Sequence, residues 1–510
     1  MKRYSVKEGT TGVLELTDDA GNVEIYQPDC DIDKAQTLLY QFYNVQTSSG
    51  MNVKDAFIRK DIDWFPTTIG MLCWQYFYQV VKYRPLLEKY LLGQVEFKSI
   101  SPGKFYNLIQ IILEAQGKDK GKSKVKKLIR TMYASIIQIR NRLVPNKQGD
   151  LLFFRYGLDD FRTEELLEQL ENEYKVLQVT GVSYKKVISI FFNRNIYILP
   201  LVQPSKNNSV LLNHGHKDLV FKYAMFFAES IVNTHRFAYG VHLANFRHFE
   251  YKLFFGLDDA NTVYPLIYAA QDTGIKALGF QHGLYAQRQE AYVMQGIERY
   301  RWYDNVLVWG EYWKSNLLKN SSLYSSTYHI VSSNKHCYDY KSLLKQGKNR
   351  VILIPYEFLS DSIKVGEYIK KFIKAGFKIL FKSRADELLQ DQLDPYFLGE
   401  FEDEIEILDV LTPEAMAEVD VIAGTQTTLL FDLLPYNKPI WILESPFRLM
   451  YDMVEDGFAR LITESDMQRI DAIFEEDISE KKPVNAEYFS GKVPMVDAVA
   501  NYLDVGVSKK

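Results

Sequence analysis

The segment Lys276-Ala-Leu-Gly-Phe-Gln-His-Gly-Leu284, inside the stretch from Ala270 to Tyr312, decides how the chain is read. Ala277 to Phe280 is a short apolar run of the kind that forms a buried parallel strand. Such a strand delivers Gln281, His282 and Gly283 to its carboxyl end, the edge at which open α/β sheets bind ligands. Further on, Asn305-Val-Leu-Val-Trp-Gly-Glu311 reads as a second buried strand ending in Gly310, with a helix opening at Tyr312. The two strands are expected to flank a crevice.

Working outward, a chain of 510 residues exceeds one ordinary core, so two or three domains are expected. A net charge of −4 argues against a dedicated nucleic-acid binder. Cys30, Cys73 and Cys337 are scattered and write neither a disulfide framework nor a zinc motif, which fits a reducing compartment. The start, Met1-Lys-Arg-Tyr-Ser-Val-Lys-Glu, lacks the apolar core of a signal peptide, and Phe65 to Val81 is interrupted by polar residues. The expected location is the cytoplasm, with any membrane contact peripheral and at the inner face of the cell membrane.

Toward the amino terminus, Val13 to Tyr26 alternates around Asp18-Asp19-Ala20-Gly21-Asn22 and predicts a hairpin. From Asp33 to about Leu113 apolar residues recur at three and four, so residues 1–145 are expected to be a mostly helical extension with a small β element. Lys118, Lys120, Lys122, Lys124, Lys126, Lys127, Arg130, Arg140 and Arg142 surround the apolar Leu128, Ile129, Met132, Ile136, Ile137 and Ile139. A basic amphipathic helix of this kind can lie on an anionic membrane. It can also be a solvated linker followed by a helix packed on the next domain.

Two series of alternating strands and helices follow. One runs from the strand at Gly149 to Arg155 through the helix Thr163 to Tyr174 and the strand Val176 to Val179 as far as Ile330. The polar run Ser332 to Asn349 separates it from a second, which opens at Arg350-Val-Ile-Leu-Ile-Pro355. The fold class is therefore α/β: two facing Rossmann-like lobes, residues 146–335 and 336–510, with a cleft between them.

In the second lobe, Asp420-Val-Ile-Ala-Gly-Thr-Gln-Thr-Thr-Leu-Leu-Phe-Asp432 predicts a strand, a tight turn at Gly424 and a helix start. Thr425, Gln426, Thr427 and Thr428 bring polar side chains and backbone N–H groups to that start, where phosphate binds. Asp432, one turn deeper, is in reach of a ribose hydroxyl. The same threonines also suit plain helix capping.

The pattern Gly-x-x-Thr-Thr, an acidic residue and then Lys438-Pro439 resembles the donor-binding signature of GT-B glycosyltransferases and their UDP-sugar epimerase relatives. Gly279-Phe-Gln-His-Gly283 together with Val306-Leu-Val-Trp-Gly-Glu-Tyr-Trp-Lys314 is similar to bacterial surface-carbohydrate biosynthesis proteins. That group lies near the Kdo, sialyl and polyol-phosphate transferases of capsule, lipopolysaccharide and teichoic acid assembly. The resemblance covers roughly residues 150 to 480. It implies a nucleotide sugar bound by the second lobe, a glycan or lipid-linked glycan acceptor presented by the first, and no cofactor or metal. Where ulosonic-acid transferases carry a Lys-x-His-Pro strand end, this chain has Phe381-Lys-Ser-Arg-Ala-Asp386, so the resemblance leaves the donor open.

Transfer needs a base for the acceptor hydroxyl and support for the departing phosphate. His282 is the leading base or orienting residue, though it can equally brace its own turn; Glu290 and Glu250 are the carboxylate alternatives. Lys382, Ser383 and Arg384 are candidates for the phosphate. Gln281, Gly283, Arg288 and Gly310 are expected at the acceptor side of the cleft. A nucleotide-sugar epimerase, or an idle partner in a polysaccharide synthase complex, would share the two lobes.

Overall fold

The computed structural model describes residues 2–9, 12–118, 124–160, 163–199, 218–258, 263–281, 283–324, 328–331, 349–356, 362–384, 392–436, 438–446, 448–479 and 486–505. Two parallel sheets dominate it. The first contains β1 (Leu151–Gly157), β2 (Val176–Gly181), β3 (Ile196–Ile198), β4 (Leu253–Leu257), β5 (Lys276–Phe280), β6 (Asn305–Val308) and β7 (Tyr328–Ile330). Their spatial order is 7-6-5-4-1-2-3, with every pairing parallel. The second contains β8 (Val351–Pro355), β9 (Lys378–Lys382), β10 (Ile405–Leu408), β11 (Val421–Gly424), β12 (Ile440–Leu443) and β13 (Arg460–Ile462), in the order 10-9-8-11-12-13, again all parallel.

Both orders are the doubly wound one, in which the chain starts in the middle, works to one edge, and returns to build the other half. The reversal leaves a crevice beyond the carboxyl ends of β1 and β4 in one sheet and of β8 and β11 in the other. The strands earn these buried places by composition: β4 and β8 are buried at every position, as helices on both faces require. Gly279 in β5 is a glycine because the Tyr303 ring lies across it, and Gly256 in β4 because a Cβ there would stand 2.9 Å from Phe154 Cβ. A Cβ on Gly279 would stand 2.5 Å from that ring.

The extension is a four-stranded sheet of Lys2–Glu8, Leu14–Asp18, Val23–Tyr26 and Val95–Ile100 packed with helices. The expected hairpin is present, its turn held by Asp18 Oδ1 accepting the Ala20 and Asn22 N–H groups. The strand Val95–Ile100 falls in the stretch read as helical, because it pairs with the chain's first strand across a separation no local pattern reveals. Helix α1 (Ile32–Tyr43) starts at Asp31, whose carboxylate accepts the Lys34 N–H. Helix α2 (Lys124–Leu143) docks on the first lobe: the buried Arg140 donates to the carbonyls of Phe191 and Ile196, and Asn141 Nδ2 donates to Ile198 O. Helices α3 (Tyr184–Ile190) and α4 (Leu219–Phe246) follow on the same side.

The lobes share one apolar core with the extension, and a second core fills the far face of the second sheet. Helix α5 (Glu311–Asn320) carries Tyr312 and Trp313 into contact with Phe431 and Phe489. Residues 486–505 touch Phe431 and Phe458 of the second lobe and also pack on the first. Gly491 N–H donates to Trp309 O, and Asn305 donates to Tyr502. Gly310 is the residue that permits this crossing, since a Cβ there would lie 2.5 Å from the Phe489 backbone. Among the described residues no helix is long and apolar enough to cross a membrane.

Candidate functional site

A cavity of about 620 Å³ opens where the carboxyl ends of β1 and β2 face the second lobe. Tyr156 to Asp160 and Gly181 to Ser183 line one wall with Lys186, and Arg384, two residues past the end of β9, reaches the other. The first wall is fixed from beneath by Arg155, fully buried within an apolar strand. Its Nε donates to Thr163 (2.9 Å) and its Nη2 to Asp160 O (3.1 Å), with Glu164 as its counter-ion. Sequence reasoning passed over this loop, although an arginine inside Leu151-Leu-Phe-Phe-Arg155 was the available signal: a buried guanidinium must gather acceptors from nearby backbone.

Of the phosphate candidates, Arg384 alone lines this cavity; its guanidinium lies 5.9 Å from the Tyr356 ring. Ser383 is turned inward, donating to Asp409 (2.8 Å). Lys382 donates to the Ser383 carbonyl, and burial lowers its pKa while Asp409 opposes the shift.

The turn Gly424 to Thr428 sits at the carboxyl end of β11, at the second sheet's switch point beside β8. The helix it opens, α6 (Leu429–Asp432), is only four residues long before the chain tightens into a 3-10 turn. Its dipole is correspondingly small, so hydroxyls and turn N–H groups carry more of any phosphate affinity than the macrodipole. Thr425 and Gln426 are buried in the turn, while Thr427, Thr428 and Asp432 are half-buried. Thr427 Oγ1 accepts the Leu429 N–H at 3.3 Å, a capping contact. Lys438, with its pKa lowered by burial against the pull of Asp420, ends the segment.

At the first sheet's carboxyl edge, Gln281 is buried and used at both ends: Oε1 accepts the Trp309 N–H (3.0 Å) and Nε2 donates to Gly283 O (2.8 Å). It ties β5 to β6 and sets the direction in which the following loop leaves. His282 and the Asn213-His-Gly-His216 run lie outside the described residues. The loop beyond is anchored to Asp258, at the end of β4, by the hydroxyls of Tyr285 (2.5 Å) and Tyr292 (3.4 Å). Arg288 then reaches two other parts of the chain: its Nε donates to Asp33 of α1 (3.0 Å), and its guanidinium lies 5.9 Å from the Tyr451 ring of the second lobe. Arg448 of the second lobe binds the same Asp33 (2.7 Å). The Gln287 N–H donates to Asp452 across the lobes (2.9 Å), and burial raises the Asp452 pKa.

The two carboxylate alternatives to His282 are each held by polar partners. Glu250 precedes β4, at the amino end of the sheet, where it bonds Gln148. Glu290 is fully buried against α1, accepting from Tyr40 and from Gln36 (3.1 Å). Burial raises its pKa to about 7, against the opposing hydrogen bonds of Tyr40, the Gln295 backbone and Gln36. It joins extension to lobe. The apolar spacing around it gave no hint of that, since its partners lie some 250 residues away in sequence. His242 is likewise interior, hydrogen-bonded through Nδ1 to Tyr197 (2.9 Å), with its pKa lowered to about 3 by burial. Among the described residues no group of three or more His, Cys, Asp or Glu is placed to hold a metal.

No family model matches the chain, and no curated protein matches it. Solved structures that align with it include MurG of Acinetobacter baumannii, at 14% identity over 72% of this chain and 100% of that one, with a TM-score of 0.43. The calicheamicin glycosyltransferase CalG4 aligns at 10% identity over 71% and 99%, with a TM-score of 0.44. A UDP-GlcNAc 2-epimerase from Neisseria meningitidis, solved with UDP-GlcNAc bound, aligns at 13% identity over 71% and 100%, with a TM-score of 0.38. The two doubly wound parallel sheets define an α/β protein with two Rossmann-like lobes.

Proposed function

We propose that the protein is a glycosyltransferase that moves a sugar from a nucleotide-activated donor onto a growing surface glycan or glycolipid. The observation that carries this reading is the Thr-rich turn at the switch point of the second sheet, with Arg384 of that lobe on a cavity whose other wall is made by strand ends of the first. The nucleotide's phosphates are taken by Gly424 to Thr428 and its ribose by Asp432. Arg384 is the cation at hand for the charge that develops on the departing phosphate.

The acceptor lies against the first lobe, where Gln281 and Gly283 shape the loop that carries His282, the proposed base. Glu250 and Glu290 have no part in the chemistry under this reading; one is at the wrong edge and the other holds the extension in place. Lys382 and Ser383 position Arg384 from behind. The work is done at the inner face of the cell membrane if the acceptor is lipid-linked.

Incubating the protein with a panel of nucleotide sugars, with and without a lipid-linked or soluble glycan acceptor, tests the proposal. Acceptor-dependent release of nucleotide is the expected result. Conversion of the donor to an epimer without acceptor would replace transfer with epimerisation, and binding without turnover of any donor would leave a partner protein of a synthase complex.

A further inference from the structure

Helix α2 shows the solvent a face that a soluble helix does not need. Met132, Ile136, Ile139 and Leu143 are 57%, 47%, 58% and 76% exposed. At 3.6 residues per turn they form one stripe. The opposite face of the same helix, with Ile137, Arg140 and Asn141, is the one buried on the lobe. Helix α3 packs beside it, and Ile188 and Phe192 at its far end are 83% and 82% exposed. Beside the stripe, on the flank facing α4, a groove of about 360 Å³ is lined by Gln138, Arg142, Arg236, Phe237, Gly240 and Val241. Neither Arg142 nor Arg236 has a carboxylate partner among the described residues, and the floor at Gly240 is open, a Cβ there meeting nothing within 4 Å.

We propose that this face docks on an anionic phospholipid bilayer, the stripe entering the interface while Arg142 and Arg236 hold a lipid phosphate over the apolar groove. Charge complementarity selects that occupant. The chain is acidic as a whole, yet residues 118–142 carry nine Lys and Arg, with Asp119 as the single acid. An exposed apolar stripe flanked by unpaired cations matches the boundary between acyl chains and anionic headgroups. The surface also adjoins the cleft: Ser183 and Lys186, at the start of α3, line the interlobe cavity, while Ile188 lies on the same helix and Phe192 two residues beyond its end. Docking by this face brings the acceptor lobe's cavity to the membrane, which deepens the proposed function by naming a lipid-linked acceptor; the docking itself does not require transfer to occur.

The test is co-sedimentation of the full chain with vesicles of phosphatidylcholine alone and of phosphatidylcholine mixed with phosphatidylglycerol, over a range of salt. The parent is expected to prefer the anionic vesicles and to lose that preference as salt rises. The double substitution Arg142→Gln with Arg236→Gln should weaken anionic binding by about 20- to 30-fold, roughly fivefold for each charge. Ile139→Glu with Phe192→Glu should weaken it by about tenfold or more. Gly240→Leu fills the groove without a steric clash and should lower the anionic preference while leaving the thermal midpoint equal or higher. All of these positions are exposed or open, so folding and turnover on a soluble acceptor should persist. Equal binding of the parent to both vesicles, or no binding, overturns the proposal. So does loss of binding only when Lys120, Lys122, Lys124, Lys126 and Lys127 become Gln, with the groove and stripe variants unaffected. Failure of the transfer reading would appear separately, as absent turnover with docking intact.

Discussion

The carboxyl edges of the two sheets are built to different plans. At the first, side chains are committed to one another: Gln281 spans β5 and β6, Tyr285 and Tyr292 hold Asp258, and Arg288 is fastened to Asp33. At the second, the turn at Gly424 to Thr428 opens a helix of a single turn. Thr427 there accepts only the Leu429 N–H among the described residues, leaving its own O–H to donate outward. One edge is a bracket that fixes where a loop goes, and the other is a tight turn whose Thr427 stays half-buried beside a one-turn helix. The contrast predicts that substitutions on the first edge act on rate or on folding, whereas those on the second act on affinity.

The largest expected effect comes from His282. If it deprotonates the acceptor, His282→Ala lowers turnover by about 10²- to 10⁴-fold, with nucleotide affinity held by the other lobe and nearly unchanged. His282→Gln should keep the fold without restoring the rate. A Gln variant as active as the parent would remove the base role, and a fall in thermal stability matching the fall in rate would assign the residue to the bracket.

Next is Glu290, which tests whether the extension is locked to the first lobe by a protonated carboxyl. Its pKa is raised from 4.5 to about 7 by burial. The folded protein thus holds a proton that the unfolded chain has released, and this contribution is complete below about pH 4.5 and lost as pH rises through 7. Glu290→Gln keeps a neutral side chain of the same shape. Relative to the parent it should gain stability with rising pH, by roughly 3 kcal/mol in total. Denaturant titrations at pH 5 and pH 8 measure this, and parallel curves for the two proteins would show that the carboxyl is charged throughout.

The second edge gives a smaller effect of a different kind. Thr427→Ala with Thr428→Ala should weaken nucleotide binding by about 1 to 3 kcal/mol through lost hydrogen bonds to a charged group. Calorimetric titration of the folded double variant reads this directly, and unchanged affinity would return the turn to helix capping alone.

Smallest is the contact between the extension and the second lobe. Asp33 and Arg448 are each close to half exposed, so their coupling in a double-mutant cycle should be below about 1 kcal/mol. A larger value would mean that Asp33, which also holds Arg288, clamps the lobes more firmly than screened surface charges can.

Much of the plan was legible in the chain. The apolar runs at Ala277 to Phe280, Asn305 to Val308 and Val351 to Ile354 are strands within a residue or so of where they were expected, because a strand buried on both faces has to be apolar at successive positions. Alternation of such runs with helical periods implied a parallel doubly wound order, and the strand order bears this out in both sheets. Gly424 and the threonines after it were found at a strand end for the same local reason.

What the sequence by itself determined was therefore the element type, the α/β class and the division into two strand series, all of which follow from composition and period over short stretches. Only the tertiary structure decided which polar groups meet. Glu290 became a bolt to α1, Arg155 a support for the cavity wall, and Gly310 the passage for a returning carboxyl-terminal segment. Those outcomes depend on partners brought from far along the chain. A charged or glycine residue carries no period of its own, and its role is set by whatever low-dielectric or crowded surroundings the rest of the fold happens to close around it.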